Sequence, residues 1–281
     1  PLATTPAAAD TMADAAAAAT VPAGCGFTYR FVPAIQHAKT LLDRGELGTI
    51  RQFRGRYLQD WLVDPDAAWS WRLDSETAGS GALGDLGAHT IDLARFLLGD
   101  HAGAIDRVTG TLRTFVDERP VYAPDGETVV DRRPVTVDDA YTAEAVFETG
   151  VTATVEASRV AAGHKNDHTI EIHGTEGSLR FSLERLNELE VLTGDSRGYE
   201  TVLVTEESDP YLEHWWPPGH TLGWEHAVVH ENVAFLSAVA DDTAFRPSFA
   251  DGCAVQRVLA AIERAADRET WVAVDDVPAG G

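Results

Sequence analysis

The 281-residue sequence has little lysine, little cysteine and no long hydrophobic run. Lys39 and Lys165 are its only lysines, so arginine supplies nearly all of the positive charge. No run approaches the roughly 18 apolar residues of a membrane-spanning helix, which excludes such a helix. Cys25 and Cys253 are too few for a disulfide scaffold, and each is expected to be a small buried hydrophobe in a reducing cytoplasm.

The charge balance is strongly negative, with 22 Lys and Arg against 45 Asp and Glu and a net charge of -23. Nucleic acid and anionic membranes are excluded as partners, because both need a positive surface. An acidic, lysine-poor surface is typical of salt-loving microbes, in which salt screens the self-repulsion. A merely acidic bacterial protein is the alternative.

Hydrophobic periodicity predicts helices that bracket a long run of strands. The predicted helices cover residues 5–19, 33–45 with Gly45 as the stop, 81–99, 224–240 and 250–268. The predicted strands cover 23–29, 49–59, several segments between 104 and 205, and 270–274. This order predicts an α+β fold, a large and mostly antiparallel β-sheet with helices on one face. The few helices would leave an apolar sheet face uncovered, which predicts a homodimer or homotetramer through the sheet.

The stretch "GALGDLGAHTIDLARFLLG" carries Asp85, His89 and Asp92 among leucines. Asp85 and His89 are four residues apart and share one helical face. A histidine there suits acid–base catalysis, and a neighbouring carboxylate can hold a substrate hydroxyl or favour the charged imidazole. Two alternatives stay open: the pair braces the start of the helix, or it binds a divalent ion with Asp92 as the third ligand. Asp92 is interpreted as a structural partner.

The histidines near the C-terminal helices form a second group. His226 and His230 are also four residues apart, as in zinc sites, but the segment lacks the H-E-x-x-H signature. We interpret them as histidines with satisfied hydrogen bonds, and we predict no metal site in this chain.

Four segments together resemble the Gfo/Idh/MocA family of NAD(P)-dependent sugar and polyol dehydrogenases. They are "GFTYRFVPAIQHAKTLLDRGELGTI", "GSGALGDLGAHTIDLARFLLG", "IEIHGTEGSL" and "DGCAVQRVLAAIERAADRETWVAV". The stretches "HWWPPGH" and "GWEHAVVH" are similar to a branch that oxidises sugars and anhydrosugars. The resemblance implies a small sugar or polyol as substrate, His89 as the acid–base group, Asp85 as the carboxylate that orients the substrate, and NAD or NADP as cofactor.

The resemblance also suggests residues that bind the substrate. These are Tyr29, Arg30, Trp71 and Arg72. Three further candidates come from the residues themselves: Lys165, because it is one of only two lysines, and Trp216 and His220, because they lie in an aromatic loop. Aromatic faces stack on sugar rings and arginine offers planar donors to hydroxyls. The alternatives are hinge packing for Tyr29 and Arg30, surface packing for Trp71, Arg72 and Lys165, and a subunit interface for Trp216 and His220.

The sequence departs from the family at its N-terminus. Family members begin with a Rossmann domain that carries a glycine-rich phosphate turn, and no such turn follows a first strand here. We therefore expect residues 1–28 to be a remnant of the dinucleotide-binding domain and residues 29–281 to be the substrate-binding and oligomerisation domain. A chain that starts at Pro1 is expected to be a fragment that binds no NAD(P) and is inactive alone. The alternative is a catalytically dead binding or oligomerisation module.

Overall fold

The computed structural model describes residues 1–19 and 21–277. The helices are α1 (Pro6–Ala18), α2 (Pro33–Asp43), α3 (Ser75–Ala78), α4 (Ala88–Ala102), α5 (Trp224–Asp241) and α6 (Phe249–Arg268). The strands are β1 (Ile50–Leu58), β2 (Ile105–Arg113), β3 (Glu118–Tyr122), β4 (Val129–Pro134), β5 (Ala140–Phe147), β6 (Thr152–Ser158), β7 (Asp167–Gly174), β8 (Gly177–Ser182), β9 (Glu188–Thr193), β10 (Glu200–Leu203) and β11 (Val272–Ala273). No helix in this part of the chain is long and apolar enough to cross a membrane.

Nine strands form one mixed sheet in the order β10-β9-β8-β7-β1-β6-β5-β2-β11. The pairing of β1 with β6 is parallel, and the pairings of the other strands in this sheet are antiparallel. A parallel pair requires a crossover connection, and here α3, α4 and a series of strands lie between β1 and β6 in the chain. The fold is therefore a mixed α/β fold built on one large sheet.

The two faces of the sheet differ in chemistry. In β1, Phe53 and Tyr57 are buried towards the helices, whereas Arg54 and Arg56 are exposed on the opposite face. That open face forms a groove of about 520 Å³ whose charged lining residues are Arg54, Arg56, Glu156, Glu171, Arg180, Arg185, Glu188 and Glu190. The prediction of an uncovered apolar face is therefore wrong, because the period of two directs the apolar side chains to the helices.

The N-terminal segment packs on the C-terminal helix α6. The Cys253 thiol donates to Asp10 Oδ1 at 2.7 Å, and Arg257 Nη2 donates to the same oxygen at 2.8 Å. The predicted strand at residues 23–29 does not form, since Gly24 pairs with one residue only and a 3-10 helix begins at Thr28.

A two-stranded hairpin, which the sequence analysis missed, consists of β3 and β4. It covers the loop 59–73 that precedes α3. Arg119 of β3 is fully buried and donates from Nη2 to Leu62 O at 2.7 Å and from Nη1 to Asp64 O at 2.6 Å. Below it lies a small separate core of Leu62, Leu73, Val135 and Val137. The hairpin therefore holds the tryptophan-rich loop against the sheet.

Candidate functional site

The predicted helix 81–99 does not begin as an α-helix. A π-helical turn covers Leu83–Gly87 and leads into α4, so that Asp85 lies in the turn and His89 lies at the start of the α-helix. The Asp138 carboxylate accepts hydrogen bonds from Gly81 N at 2.7 Å and Leu83 N at 2.8 Å. A single π-helical turn of this kind is frequent at functional sites.

Gly81 is required for this arrangement, since a Cβ there would lie 1.8 Å from Asp138 O. The spacing of Gly79, Gly81 and Gly84 also matches the G-x-G-x-x-G pattern of dinucleotide-binding turns. However, the amides that would hold a phosphate already donate to the Asp138 side chain. The described residues at this turn therefore do not fit a dinucleotide phosphate.

His89 is half-buried in an aromatic pocket. Its ring makes edge contacts with Tyr29 and Phe27, at centroid distances of 5.0 Å and 6.1 Å. Burial, followed by the positive charge of the chain's N-terminal amine, lowers the pKa of His89 to about 4, although Asp85 opposes this shift. His89 is therefore neutral at neutral pH, and its buried Nδ1 has no hydrogen-bond partner among the described residues. A neutral imidazole of this kind can accept a proton.

Asp85 is held by Arg159, not by His89. Arg159 Nη2 donates to Asp85 Oδ2 at 2.9 Å, while Nη1 donates to Arg72 O at 3.3 Å. The Arg159 guanidinium also faces the Trp61 ring at 5.7 Å. Among the described residues, no hydrogen bond or ion pair joins Asp85 to His89. The two side chains are therefore neighbours, as their spacing predicts, but they are not paired.

A second buried histidine, His168 of β7, lies behind His89. It stacks on Tyr57 with a centroid distance of 4.5 Å, and its Nε2 is 3.1 Å from Thr90 Oγ1. Burial and then the proximity of His89 lower the pKa of His168 to about 3. Gly55 lets α4 approach β1 this closely, because a Cβ there would lie 2.3 Å from Thr90 Cγ2. His168 therefore anchors the residue that follows His89.

Arg30 does not reach this pocket, which corrects the expectation that it binds substrate. It is 6% exposed and donates from Nε and Nη2 to the two carboxylate oxygens of Asp92, at 2.8 Å and 2.5 Å. Asp92 is thus a structural partner, as its sequence position suggested, and the pair ties the 3-10 helix Thr28–Phe31 to α4. Tyr29, in contrast, does lie beside His89.

The loop residues Trp71 and Arg72 lie next to the Asp85–Arg159 pair, since Arg72 O accepts from Arg159. The Arg72 guanidinium lies 4.6 Å from the Trp71 ring centroid. Lys165 is exposed, and its Nζ donates to Asp60 Oδ2 at 2.6 Å. Lys165 therefore contacts a carboxylate of the protein itself, Asp60.

Trp216 and His220 are exposed and lie near each other, with ring centroids 6.3 Å apart. No ring contact or hydrogen bond joins them to His89 within the described ranges, so the structure does not bring them into this site. Trp215 Nε1 donates to His230 Nε2 at 2.8 Å, and His226 Nδ1 accepts from Gly223 N at 3.1 Å. Both histidines have hydrogen-bond partners, and the described residues contain no group of three or more metal ligands.

Sequence reasoning missed six residues of the site: Tyr57, Gln59, Trp61, Arg159, Asn166 and His168. Tyr57 could have been found, since it continues the buried alternation of β1. Arg159 and His168 carry no local signal, because the strand pairings alone bring them to α4.

The fold and the site define a class of oxidoreductase. Residues 35–180 match the family model for the GFO/IDH/MocA C-terminal domain. Levoglucosan dehydrogenase of Pseudarthrobacter phenanthrenivorans is 40% identical over 265 residues, which are 90% of this chain and 67% of that protein. The chain belongs to the Gfo/Idh/MocA family.

Solved structures agree with this assignment. An oxidoreductase domain protein from Kribbella flavida has a TM-score of 0.90 and 46% identity over 99% of this chain and 73% of its own. Levoglucosan dehydrogenase in complex with NADH and L-sorbose has a TM-score of 0.91 and 40% identity over 99% of this chain and 72% of its own. Because these matches extend over most of each protein, they do not support the expectation of an inactive fragment that binds no cofactor.

Proposed function

We propose that this protein takes part in the NAD(P)-dependent oxidation of a secondary alcohol of a sugar or polyol. The observation that carries the proposal is that Asp85 lies in the π-helical turn and His89 at the start of α4, in a chain similar to levoglucosan dehydrogenase. A further relative is inositol 2-dehydrogenase of Rhizobium meliloti, an enzyme named for a polyol, which is 24% identical over 89% of this chain.

In the proposed reaction His89 accepts the proton of the substrate hydroxyl. Burial keeps the imidazole neutral at neutral pH, so a ring nitrogen has an unprotonated lone pair that can accept this proton. Asp85 accepts a hydrogen bond from a sugar hydroxyl, and Arg159 holds the carboxylate in place for this contact. Trp61 and Trp71, both about half-exposed, offer aromatic faces to the ring of the sugar.

The described residues provide the proton-transfer and sugar-binding parts of such a site. The glycine-rich turn at Gly79–Gly84 is occupied by Asp138, so we derive no step through the cofactor and assign no residues to its phosphates. We propose that residues 1–28 are part of a dinucleotide-binding domain and that residues 29–281 form the substrate domain. The last four residues of the second range lie outside the described part.

The test is to incubate the protein with levoglucosan, myo-inositol or D-xylose and either NAD or NADP. Reduced cofactor is followed by absorbance at the nicotinamide band, and the product by mass spectrometry. We expect a keto product, two mass units lighter, with at least one sugar. If the protein binds one of these sugars in calorimetry without ever forming reduced cofactor, the alternative of a catalytically dead binding module is supported instead.

We also propose that two copies associate through the open face of the sheet. Strands with arginine on this face (β8 and β1) alternate across the sheet with strands that carry glutamate (β9, β7 and β6), and a face with both charges can meet the same face of a second copy in a twofold arrangement. The net charge of -23 supports the further proposal of a cytoplasmic protein adapted to high salt, because counter-ions would screen its self-repulsion. We expect its melting temperature to rise from low to molar KCl.

A further inference from the structure

Five side chains form a continuous hydrogen-bond chain beside His89. Trp61 Nε1 donates to Gln59 Oε1 at 3.0 Å, and Gln59 Nε2 donates to Asn166 Oδ1 at 2.9 Å. Tyr57 Oη lies 2.7 Å from the same Asn166 oxygen, and Tyr29 Oη lies 2.6 Å from Tyr57 Oη. The chain thus connects an exposed indole to a buried phenol.

The direction of this chain is set at Trp61. An indole N–H can only donate, so the Gln59 atom that faces it must be the oxygen. The amide nitrogen of Gln59 then faces Asn166 and donates, which requires Asn166 to present its oxygen there. The orientation of the Gln59 and Asn166 amides therefore follows from the Trp61 indole, which can act only as a donor.

The same reasoning continues through the two tyrosines. The Asn166 oxygen cannot donate, so the single hydroxyl hydrogen of Tyr57 is directed to it. The Tyr57 oxygen must then accept from Tyr29, and this contact uses the only hydroxyl hydrogen of Tyr29. Tyr29 and Tyr57 are 5% and 4% exposed, so bulk water does not compete for the two hydroxyl hydrogens at this end of the hydrogen-bond chain.

We propose that this chain makes the Tyr29 hydroxyl oxygen an obligate hydrogen-bond acceptor that selects a donating hydroxyl of the sugar. The Tyr29 ring is in edge contact with His89 at 5.0 Å. We infer from this contact that a sugar hydroxyl at His89 comes within reach of the Tyr29 oxygen. Replacement of the hydroxyl that faces Tyr29 by fluorine would place two acceptors together. The donor–acceptor order of the hydrogen-bond chain does not depend on the proposed function, whereas the selection of a sugar hydroxyl rests on it.

Neutron crystallography of the deuterium-exchanged protein without sugar tests the polarity directly. We expect the deuteron of Tyr29 on the line to Tyr57 Oη, and the deuteron of Tyr57 on the line to Asn166 Oδ1. A deuteron of Tyr57 that points to Tyr29 would overturn the proposal, whatever sugar the protein binds.

Calorimetry with levoglucosan and its 2-, 3- and 4-deoxyfluoro analogues tests the selection. We expect one analogue to bind about 10- to 100-fold more weakly than levoglucosan, because an acceptor then faces an acceptor. In Tyr57→Phe the Tyr29 hydroxyl is free to rotate and donate, so this discrimination should shrink to a few-fold. Tyr122→Phe, which removes a tyrosine hydrogen bond to Asp66 O on the hairpin, is the matched control and should keep it.

The two results separate the two proposals. Equal binding of levoglucosan and all three analogues would overturn the selection by Tyr29. A complete failure to bind levoglucosan would contradict the proposed function for that sugar, while the neutron result still decides the polarity of the chain.

Discussion

Arg159 holds the carboxylate of Asp85 from the buried side of the site, with Nη2 2.9 Å from Oδ2. The arginine side chain is 2% exposed and the aspartate side chain is 43% exposed. One side of the carboxylate is therefore fixed by the protein while the other remains free for a ligand. Arg159 lies directly after β6, 74 residues from Asp85 in the chain.

Replacing Arg159 should weaken catalysis more than folding. In Arg159→Met the Asp85 side chain loses its anchor but can still be hydrated, so kcat/KM should fall about 100-fold through misplacement of the substrate. Arg159→Lys should recover part of this loss, because lysine restores the charge without the planar fork. Steady-state kinetics with whichever of the three test sugars yields a keto product checks this, with the exposed Arg113→Met as control. Equal kcat/KM in Arg159→Met and the unsubstituted protein would contradict it.

Removing the imidazole of His89 should abolish most of the turnover. We expect kcat of His89→Ala to fall by about 10²- to 10⁴-fold, since the proton of the substrate hydroxyl loses its acceptor. Sugar affinity, measured by calorimetry, should change far less. His101→Ala on the same helix is the control, because His101 lies near its other end and pairs with Asp43. A rate of His89→Ala within twofold of the control would remove His89 from the mechanism.

Stability should fall as the solution is acidified, because His168 is buried in its neutral form. Its pKa is about 3 in the folded protein and ordinarily about 6.5 when the chain is unfolded. The unfolded state therefore binds the proton first, and the stabilisation present above pH 6.5 is lost as the pH falls towards 3. The full loss is on the order of 5 kcal/mol.

Urea unfolding between pH 8 and pH 4 measures this slope. The variant His168→Gln should show a smaller dependence on pH than the unsubstituted protein, even where it is less stable overall. The exposed His220→Gln should keep the full slope. The assignment fails if His168→Gln and His220→Gln lose stability in parallel on acidification.

The hairpin should stabilise the loop 59–73 through Arg119. Arg119→Met leaves Leu62 O and Asp64 O without their buried donor, so we expect a loss of about 3 kcal/mol in the free energy of unfolding. Limited proteolysis should then cut within the loop. Arg133→Met is the control, since its guanidinium lies over the Trp69 ring and is half-exposed. An uncut loop in Arg119→Met would argue against this role of the hairpin.

Reversing a charge on the open sheet face should disrupt self-association. Arg56→Glu adds a negative charge beside Glu156 and Glu171, so we expect light scattering to show a smaller species than for the unsubstituted protein. Arg113→Glu, exposed at the end of β2, should not change the mass. A monomer for the unsubstituted protein at low salt, where the charges are least screened, would contradict the proposed interface.

The sequence alone determined most of the secondary structure, and it predicted that Asp85 and His89 lie close together in the candidate site. Periodicity predicts α1, α2, α5 and α6 within a few residues, because the alternation of apolar and polar side chains is a local property. Asp85 and His89 could be predicted together for the same reason, since they are four residues apart. The hairpin was missed because its exposed strand β4 has no buried face to leave a pattern.

Only the tertiary structure decided which side chains complete the site. Arg159 and His168 reach Asp85 and Thr90 through strand pairing, and no local signal in the sequence specifies those pairings. The same holds for Arg30, whose sequence position suggested the pocket but whose charge, once buried, required Asp92 as a partner. Contacts between residues far apart in the sequence depend on the register of the sheet and on how closely α4 packs against it. No short segment of the sequence encodes either.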